Sequence, residues 1–311
     1  MKLVIYIPCL NESKTIMDLL DSIPQKLVGV NDIKILVIDD GSTDGTSEII
    51  KQKYNEINII KHNFNRGLAE AFNTAMKFCK NHNADVMVSL DGDHQYKATD
   101  IQNIIDQIII KKFDLVIGNR QVEKISHFSK IKKLVHKFGT FFINRFLKIK
   151  ISDPVSGMRA YSKFAINNLI VLNKFTYTVE TLFHADYLNL SVQEVMIDTN
   201  LPTRKSRLFK SNLQYLYKTS HTLLSVLIYY KSTLLLNIIS IPFYFFGLSL
   251  WFRYLFKFLY EEGLSGRYIP SILVGGISIL IGINLSLFAY LTTYIRFNQI
   301  YLIKKLFKNA K

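Results

Sequence analysis

Residues 86–95 read Val-Met-Val-Ser-Leu-Asp-Gly-Asp-His-Gln, an apolar run that ends in two carboxylates one residue apart. A short β-branched run followed at once by polar turn residues predicts a strand buried in a parallel sheet. Sheets of that kind bind ligands outside the carboxyl ends of their strands, so the two carboxylates stand where chemistry is expected. Asp91, Asp93 and the Gln95 carboxamide offer only oxygen donors. Such a set suits hard Mg2+ or Mn2+, which commonly bridges one or two carboxylates to substrate phosphates. Taken alone, Asp-x-Asp is equally an ordinary acidic turn.

Outward from this stretch the same pattern repeats. Leu3–Ile7, Ile33–Ile38, Ile57–Ile60 and Leu115–Ile117 are further short strands separated by helical periodicity, which predicts an α/β, doubly wound, mostly parallel sheet. Met1–Leu10 reads as its first strand rather than a signal peptide, because Pro8 and Asn11-Glu12-Ser13 stand in place of a small-residue cleavage site. Polar residues follow the first two strands as well: Pro8-Cys9-Leu10-Asn11-Glu12 and Asp39-Asp40-Gly41-Ser42-Thr43-Asp44. Each group reads as a turn or helix cap, or as acceptors for a nucleoside base or ribose. The chain has neither Gly-x-Gly-x-x-Gly nor a Gly-Lys-Ser/Thr phosphate loop, which argues against a nicotinamide cofactor and against ATP hydrolysis.

A chain of 311 residues with 49% hydrophobic content holds one large domain plus something smaller, and is not a disordered polymer. Its net charge of +15 predicts a polyanionic partner, whether nucleic acid, anionic lipid or phosphorylated small molecules. Cys9 and Cys79, the two cysteines, make no disulfide framework and favour a reducing, cytoplasmic setting. The most basic internal stretch is 121–151, with Lys124, Lys130, Lys132, Lys133, His136, Lys137, Arg145, Lys148 and Lys150.

Near the carboxyl end, Ser232–Phe252 and Tyr268–Ile295 contain no charged residue. A hydrocarbon core of ~30 Å needs roughly 20 helical residues, so both stretches are long enough to span a bilayer. Between Asn212 and Tyr230, Leu213, Leu216, Tyr217, Leu223, Leu224, Leu227 and Ile228 recur at helical spacing, as in an interfacial amphipathic helix. The expected organisation is therefore a domain over 1–210, an interfacial helix over 211–231, two spans with a short external loop over 232–295, and a basic tail over 296–311. Arg296, Lys304, Lys305, Lys308 and Lys311 follow the second span without an acidic residue, whereas Glu261 and Glu262 dilute the basic residues between spans. This asymmetry predicts a multi-pass protein of the cell (inner) membrane with both termini and the first domain cytoplasmic. It also assigns part of the positive charge to lipid rather than nucleic acid.

Taken together, Pro8-x-x-Asn11-Glu12, Asp39-Asp40-Gly41-Ser42-x-Asp44, Asn65-Arg66-Gly67, Asp91-x-Asp93-x-Gln95, Gly118-x-Arg120 and Asp153-x-x-Ser156-Gly157-x-Arg159 resemble family 2 glycosyltransferases. Within that family the chain looks like the polyprenyl-phosphate branch, the dolichyl-phosphate mannose synthases and undecaprenyl-phosphate sugar transferases, over residues 1 to about 210. The resemblance implies a Rossmann-like GT-A fold and an inverting, metal-dependent hexosyltransferase. Its donor would be of the GDP-mannose or UDP-hexose type, its acceptor a polyprenyl phosphate and its metal Mg2+ or Mn2+. It places nucleotide contacts at Pro8, Leu10, Glu12, Ile38, Asp40, Asp91, Gly92 and Arg207, metal contacts at Asp91, Asp93 and Gln95, and catalytic roles on Asp93, Arg120 and Asp153. The acceptor phosphate falls to Arg120, Lys132, Lys133 and His136.

A lipid phosphate is largely ionised near neutral pH, its second pKa being ~6, so Asp153 is expected to orient basic neighbours such as Arg159 rather than to act as a base. Two rivals are a processive membrane polysaccharide synthase and a catalytically inactive scaffold. The first would carry a Gln-x-x-Arg-Trp motif, and the single tryptophan here, Trp251, lies inside the first span. The second has no use for an intact acidic site. The sequence is compatible with a homo-oligomer and does not specify one.

Overall fold

The computed structural model describes residues 1–125, 128–172, 176–201, 212–260 and 268–309. The chain divides into two units, Met1–Thr222 and Leu223–Lys311.

The first unit is built on a seven-stranded sheet of order β3-β2-β1-β4-β6-β5-β7. β1 (Lys2–Cys9), β2 (Asp32–Asp39), β3 (Asn58–Lys61), β4 (Val86–Ser89) and β5 (Leu115–Asn119) fall on the five expected strands. β6 (Arg159–Ser162) and β7 (Val192–Met196) are additional to that reading. All neighbouring pairs are parallel except those of β6, which runs antiparallel to both β4 and β5. Helices α1 (Ile16–Ser22), α2 (Thr46–Lys53), α3 (Leu68–Asn81) and α4 (Ile101–Ile109) follow the first four strands. α4 shows the sequence logic clearly. Ile101, Ile104, Ile105 and Ile108 are buried and recur three and four residues apart, so one stripe of the helix covers the sheet. α5 (Lys130–Phe146), α6 (Lys163–Asn168) and α7 (Thr178–Tyr187) complete the unit. The core joins Leu3, Ile5, Ile7, Val37, Val86, Val88 and Val116 of the strands to Ile16, Leu19 and Ile104 of the helices.

The long apolar segments form α8 (Asn212–Tyr260) and α9 (Ile269–Asn309). α8 is interrupted at Lys231, where φ −128° and ψ 26° leave the helical region. Leu223–Tyr260 and Ile269–Gln299 are long and apolar enough to cross a membrane. Within the second unit the helices approach closely at Gly247 and Gly275. A Cβ on Gly247 would lie 2.6 Å from the Gly275 carbonyl oxygen. Cross-helix bonds run from Trp251 Nε1 to Ile272 O (3.1 Å) and from Ser278 Oγ to Phe243 O (2.8 Å). Such small-residue contacts and polar links hold helices together where lipid offers no hydrophobic drive for their association.

Candidate active site

The site is assembled by strand register. In the parallel part, Cys9 lies opposite Asp39 and Tyr6 opposite Ser89, so the loops after β1, β2 and β4 leave the sheet side by side. They are then clipped together. Asn11 N donates to Ser42 Oγ (2.9 Å), Glu12 N to Thr46 Oγ1 (3.0 Å) and Ser13 N to Asp44 Oδ2 (3.0 Å). Thr15 Oγ1 reaches across to Gly92 O (3.1 Å). Gly92 is fixed by crowding, since a Cβ there would stand 2.9 Å from both Cys9 Sγ and the Pro8 carbonyl oxygen. Thus Pro8, Leu10, Glu12, Ile38, Asp40, Asp91 and Gly92 all belong to one edge of the sheet, with Ile38 itself fully buried in β2.

The two aspartates at the end of β2 are largely committed within the protein. Asp39 accepts from Ser42 N (2.7 Å) and from Ser47 Oγ, which makes it a loop organiser. Asp40 accepts from Arg66 N (2.9 Å), Gly67 N (2.8 Å) and His62 Nδ1 (2.7 Å). Asp40 is therefore positioned at the expected edge, with most of its acceptor capacity spent on the Asn65-Arg66-Gly67 loop.

The antiparallel strand supplies the other half. Because Arg159 of β6 pairs with Ser89 of β4 and with Ile117 of β5, the chain entering β6 must pass beside the chain leaving β4 and β5. Gly157 consequently lies against Asp91, and a Cβ there would sit 2.5 Å from Asp91 Oδ2. Gly157 N is held by the Tyr96 hydroxyl (2.7 Å), and its carbonyl accepts from Ser89 Oγ (2.6 Å) and Tyr177 OH (3.2 Å).

By the same register Arg120 meets Asp153. Asp153 is fully buried; its Oδ2 accepts from Arg120 Nε (2.7 Å) and Arg120 N (3.2 Å), its Oδ1 from Arg120 Nη2 (2.8 Å) and His136 Nε2 (3.1 Å). Arg159 is not its partner, contrary to expectation. That guanidinium is buried with Ser156 O, Pro154 O, Thr178 O and Thr181 Oγ1, so it staples the loop that carries Asp153.

The surroundings push the two carboxylates, Asp91 and Asp153, in opposite directions. Burial first, then the neighbouring Asp93 carboxylate, push Asp91 up to about 7 against the pull of Arg120. Burial would also raise Asp153, but hydrogen bonds and charge from Arg120, and then His136, hold it well below the ordinary carboxylate range.

Of the expected acceptor residues, Arg120 and His136 converge on Asp153. The Lys132 ammonium sits 3.5 Å over the Phe128 ring, and burial and then Arg120 lower its pKa. Lys133 turns away, donating to Glu123 O (2.6 Å). Arg207 lies outside the described residues.

Asp91, Asp93 and Gln95 share one turn, in which Gln95 N donates to Asp93 Oδ1 (3.1 Å) and His94 adopts φ 56°. Among the described residues no group of three or more His, Cys, Asp or Glu side chains forms a metal cage. The donor set nevertheless fits a hard divalent cation, because two close carboxylates raise the cost of ionising Asp91, which a cation would relieve.

Reasoning from sequence missed Glu194, whose Oε1 accepts from Ser152 N (2.8 Å) and Asp153 N (2.9 Å) and so fixes the loop before β6. Its signal was the Val-Gln-Glu-Val-Met run, legible as a strand. It also missed His62, which links Asp40 to Thr74 Oγ1 (3.0 Å) and carries no sequence signal.

With this geometry in view, the chain belongs to glycosyl transferase family 2, whose model matches residues 4–170. It is 28% identical to a UDP-N-acetylglucosamine–dolichyl-phosphate N-acetylglucosaminyltransferase of Methanococcus voltae, over 62% of this chain and 83% of that one. It is 30% identical to a dolichol-phosphate mannosyltransferase of Pyrococcus furiosus, over 60% of this chain and 54% of that one. In fold it is similar to glucosyl-3-phosphoglycerate synthase of Mycobacterium tuberculosis, solved with Mn2+, UDP-glucose and phosphoglyceric acid. The TM-score is 0.56, with 18% identity over 73% of this chain and 78% of that chain. At that identity the likeness establishes a GT-A-like fold and nothing finer.

Proposed function

We propose that this chain transfers a hexose, with inversion, from a nucleotide-sugar donor to a polyprenyl phosphate at the cytoplasmic face of a cell membrane. The observation that carries the reading is the meeting, across Gly157, of an acidic half at Asp91 and Asp93 with a basic half at Arg120 and His136. The names of the similar enzymes support the same donor and acceptor classes.

The acceptor side has the surface a lipid requires. α5 carries His136 and Lys132, and it also presents Ile131, Leu134, Phe138 and Phe141, each 66–70% exposed. Ile143 is its one buried residue, and its charged side chains are all basic. Apolar and basic groups mixed on an exposed helix suit an anionic headgroup layer. The two candidate spans, with the basic tail inward, would hold the chain at the membrane.

In the reaction an ionised phosphate must approach a sugar diphosphate, and like charges ~4 Å apart repel by about 4 kcal/mol at an effective dielectric of ~20. A Mg2+ or Mn2+ ion held by Asp91 and Asp93, with Gln95 in the same turn, would neutralise the diphosphate as it departs. Arg120 and His136 orient the acceptor oxygen, and Asp153 orients them. Its two oxygens already take four donors, so it has no lone pair left to remove a proton.

The test gives purified protein a panel of labelled UDP- and GDP-sugars with undecaprenyl or dolichyl phosphate. Label entering the organic phase with one donor is expected. Donor hydrolysis alone, or growth of a polysaccharide, would overturn the reading.

A further inference from the structure

We propose that His136 binds the acceptor phosphate as an imidazolium, through Nδ1, so that the acceptor enters together with one proton. The inference rests on the phosphate-acceptor reading above and adds to it the group that sets the charge of the acceptor site.

Arg120 is the permanent cation of this cluster, and Asp153 pairs with it in a bidentate geometry, at 2.7 and 2.8 Å. The pair has no net charge. A phosphate arriving with about 1.5 to 2 negative charges would therefore meet a nearly neutral group if His136 were neutral.

Asp153 also determines how His136 meets a ligand. It is held ionised, and an ionised carboxylate only accepts, so Nε2 must carry the proton in that hydrogen bond. In a neutral ring, Nδ1 is then a bare lone pair, which repels a phosphate oxygen. In the imidazolium, Nδ1–H donates to that oxygen while Nε2–H stays on Asp153. Nδ1 has no partner among the described residues, and the side chain keeps 15% of its surface exposed. His136 thus decides whether the cluster Arg120–Asp153–His136 is neutral or carries +1.

The other charged and titratable groups on α5 and beside Asp153 are placed or engaged elsewhere. Lys132, one turn earlier on α5, stacks on Phe128, and its pKa is lowered by burial and by Arg120. Lys133 donates to Glu123 O, and Lys137 is exposed on the same helix. Tyr96 holds Gly157 N, and Glu194 accepts from Ser152 N and Asp153 N. The proton balance is simple. Either the phosphate brings the proton as its monoanion and passes it to Nδ1, or solvent supplies it. In the transfer the phosphate oxygen bonds to the anomeric carbon, the bond to the diphosphate breaks with its electron pair, and His136 later returns the proton to solvent.

The test is calorimetric binding of farnesyl phosphate to the full-length protein in nanodiscs at pH 7.5. Buffers of different ionisation enthalpy report proton uptake. Wild type is expected to take up a proton on binding. His136→Gln, which can still donate to Asp153, should take up none and bind about tenfold more weakly, the effect of losing one charge-assisted hydrogen bond. His136→Lys should bind about as well as wild type, with no proton uptake. In turnover, the wild-type acceptor KM should climb about tenfold between pH 6 and 8, while that of His136→Lys stays flat and the donor KM of both proteins moves less than twofold. Binding without proton uptake by wild type, or uptake that persists in His136→Gln, would overturn the proposal. Because binding needs no sugar transfer, the failures differ: farnesyl phosphate that binds wild type without proton uptake defeats the His136 proposal alone, whereas no binding by wild type defeats the acceptor reading and this proposal with it.

Discussion

Asp91 and Asp153 stand on either side of Gly157, both on loops at the same sheet edge, and they have opposite fates. Asp153 has four donors from Arg120 and His136 and is held strongly ionised. Burial, and then the neighbouring Asp93 carboxylate, raise the pKa of Asp91 to about 7. The protein has completed the site around Asp153 itself, and under the function proposed above the other would be completed by a cation and a substrate. A buried carboxylate is thus a structural part or a reactive one according to which groups the strand register brings to it. The sequence neighbours of Asp91 and Asp153 do not reveal which.

The largest effect should come from the unfinished side. Asp91→Asn or Asp93→Asn removes the charge a divalent cation needs, and transfer should fall about 10³-fold, the upper range for losing one preorganised electrostatic contact. Chelation should do the same to wild type, and added Mg2+ or Mn2+ should restore the rate. Full turnover in excess chelator would erase the contrast between the two aspartates.

The finished side should show itself in stability. Asp153→Asn leaves Arg120 and His136 without their counter-charge, and breaking a buried pair costs about 3 kcal/mol or more. Thermal melts followed by circular dichroism at pH 7 should report this loss. The sign of the pH dependence follows from the depressed pKa. An ordinary aspartate in the unfolded chain titrates at about 3.9, so the ionised-Asp153 contribution is complete above that pH and is lost as pH falls through the lower folded value. The gap between wild type and Asp153→Asn should therefore narrow below about pH 4. A gap that widens in acid would show that Asp153 is not the ionised centre of this cluster.

Gly157→Ala tests the seam between the sides. Its Cβ would stand 2.5 Å from Asp91 Oδ2, closer than atoms pack, so the loop or the carboxylate must move. A displacement of about 1 Å at a reacting centre can cost 10²-fold, and that loss is expected here in initial-rate assays. Gly139→Ala is the matched control, because a Cβ at Gly139 meets nothing within 4 Å.

The same seam explains what the sequence could and could not reveal. The parallel strands are legible because buried β-branched runs such as Ile33–Ile38 end in Asp39-Asp40, and a parallel sheet collects such ends on one edge. The acidic turn after β4 and the polar loops after β1 and β2 were therefore readable in advance as the ends of parallel strands. β6 was not, since Arg-Ala-Tyr-Ser is four residues long and begins with an arginine, and nothing local says that this guanidinium is buried among carbonyls. Yet β6 decides which residues meet. Without its antiparallel register Asp153 reads as a partner for Arg159, six residues away. With it, Asp153 faces Arg120 and His136.

The smallest expected effect separates two lysines that the sequence treats alike. Lys132 and Lys133 are adjacent in a basic run, and both read as ligands for the acceptor phosphate. On α5 they point differently, because successive helical residues are turned about 100° apart. Lys132 lies close enough to Arg120 for that charge to lower its pKa, and its ammonium rests on Phe128. Lys133 ends 2.6 Å from the Glu123 carbonyl, in an exposed hydrogen bond. An exposed bond of that kind contributes little net stability, typically around 1 kcal/mol or below, and it points no charge at Asp153 or His136. Lys133→Ala should therefore change the acceptor KM by less than about twofold, whereas Lys132→Ala should raise it by about threefold to tenfold through the lost cation. Measured at saturating donor in the same membrane preparation, the two values rank the lysines directly. Equal losses would mean that the acceptor reads the net charge of α5 rather than the geometry around Asp153, and the contrast between a completed and an unfinished side would then stop at the helix.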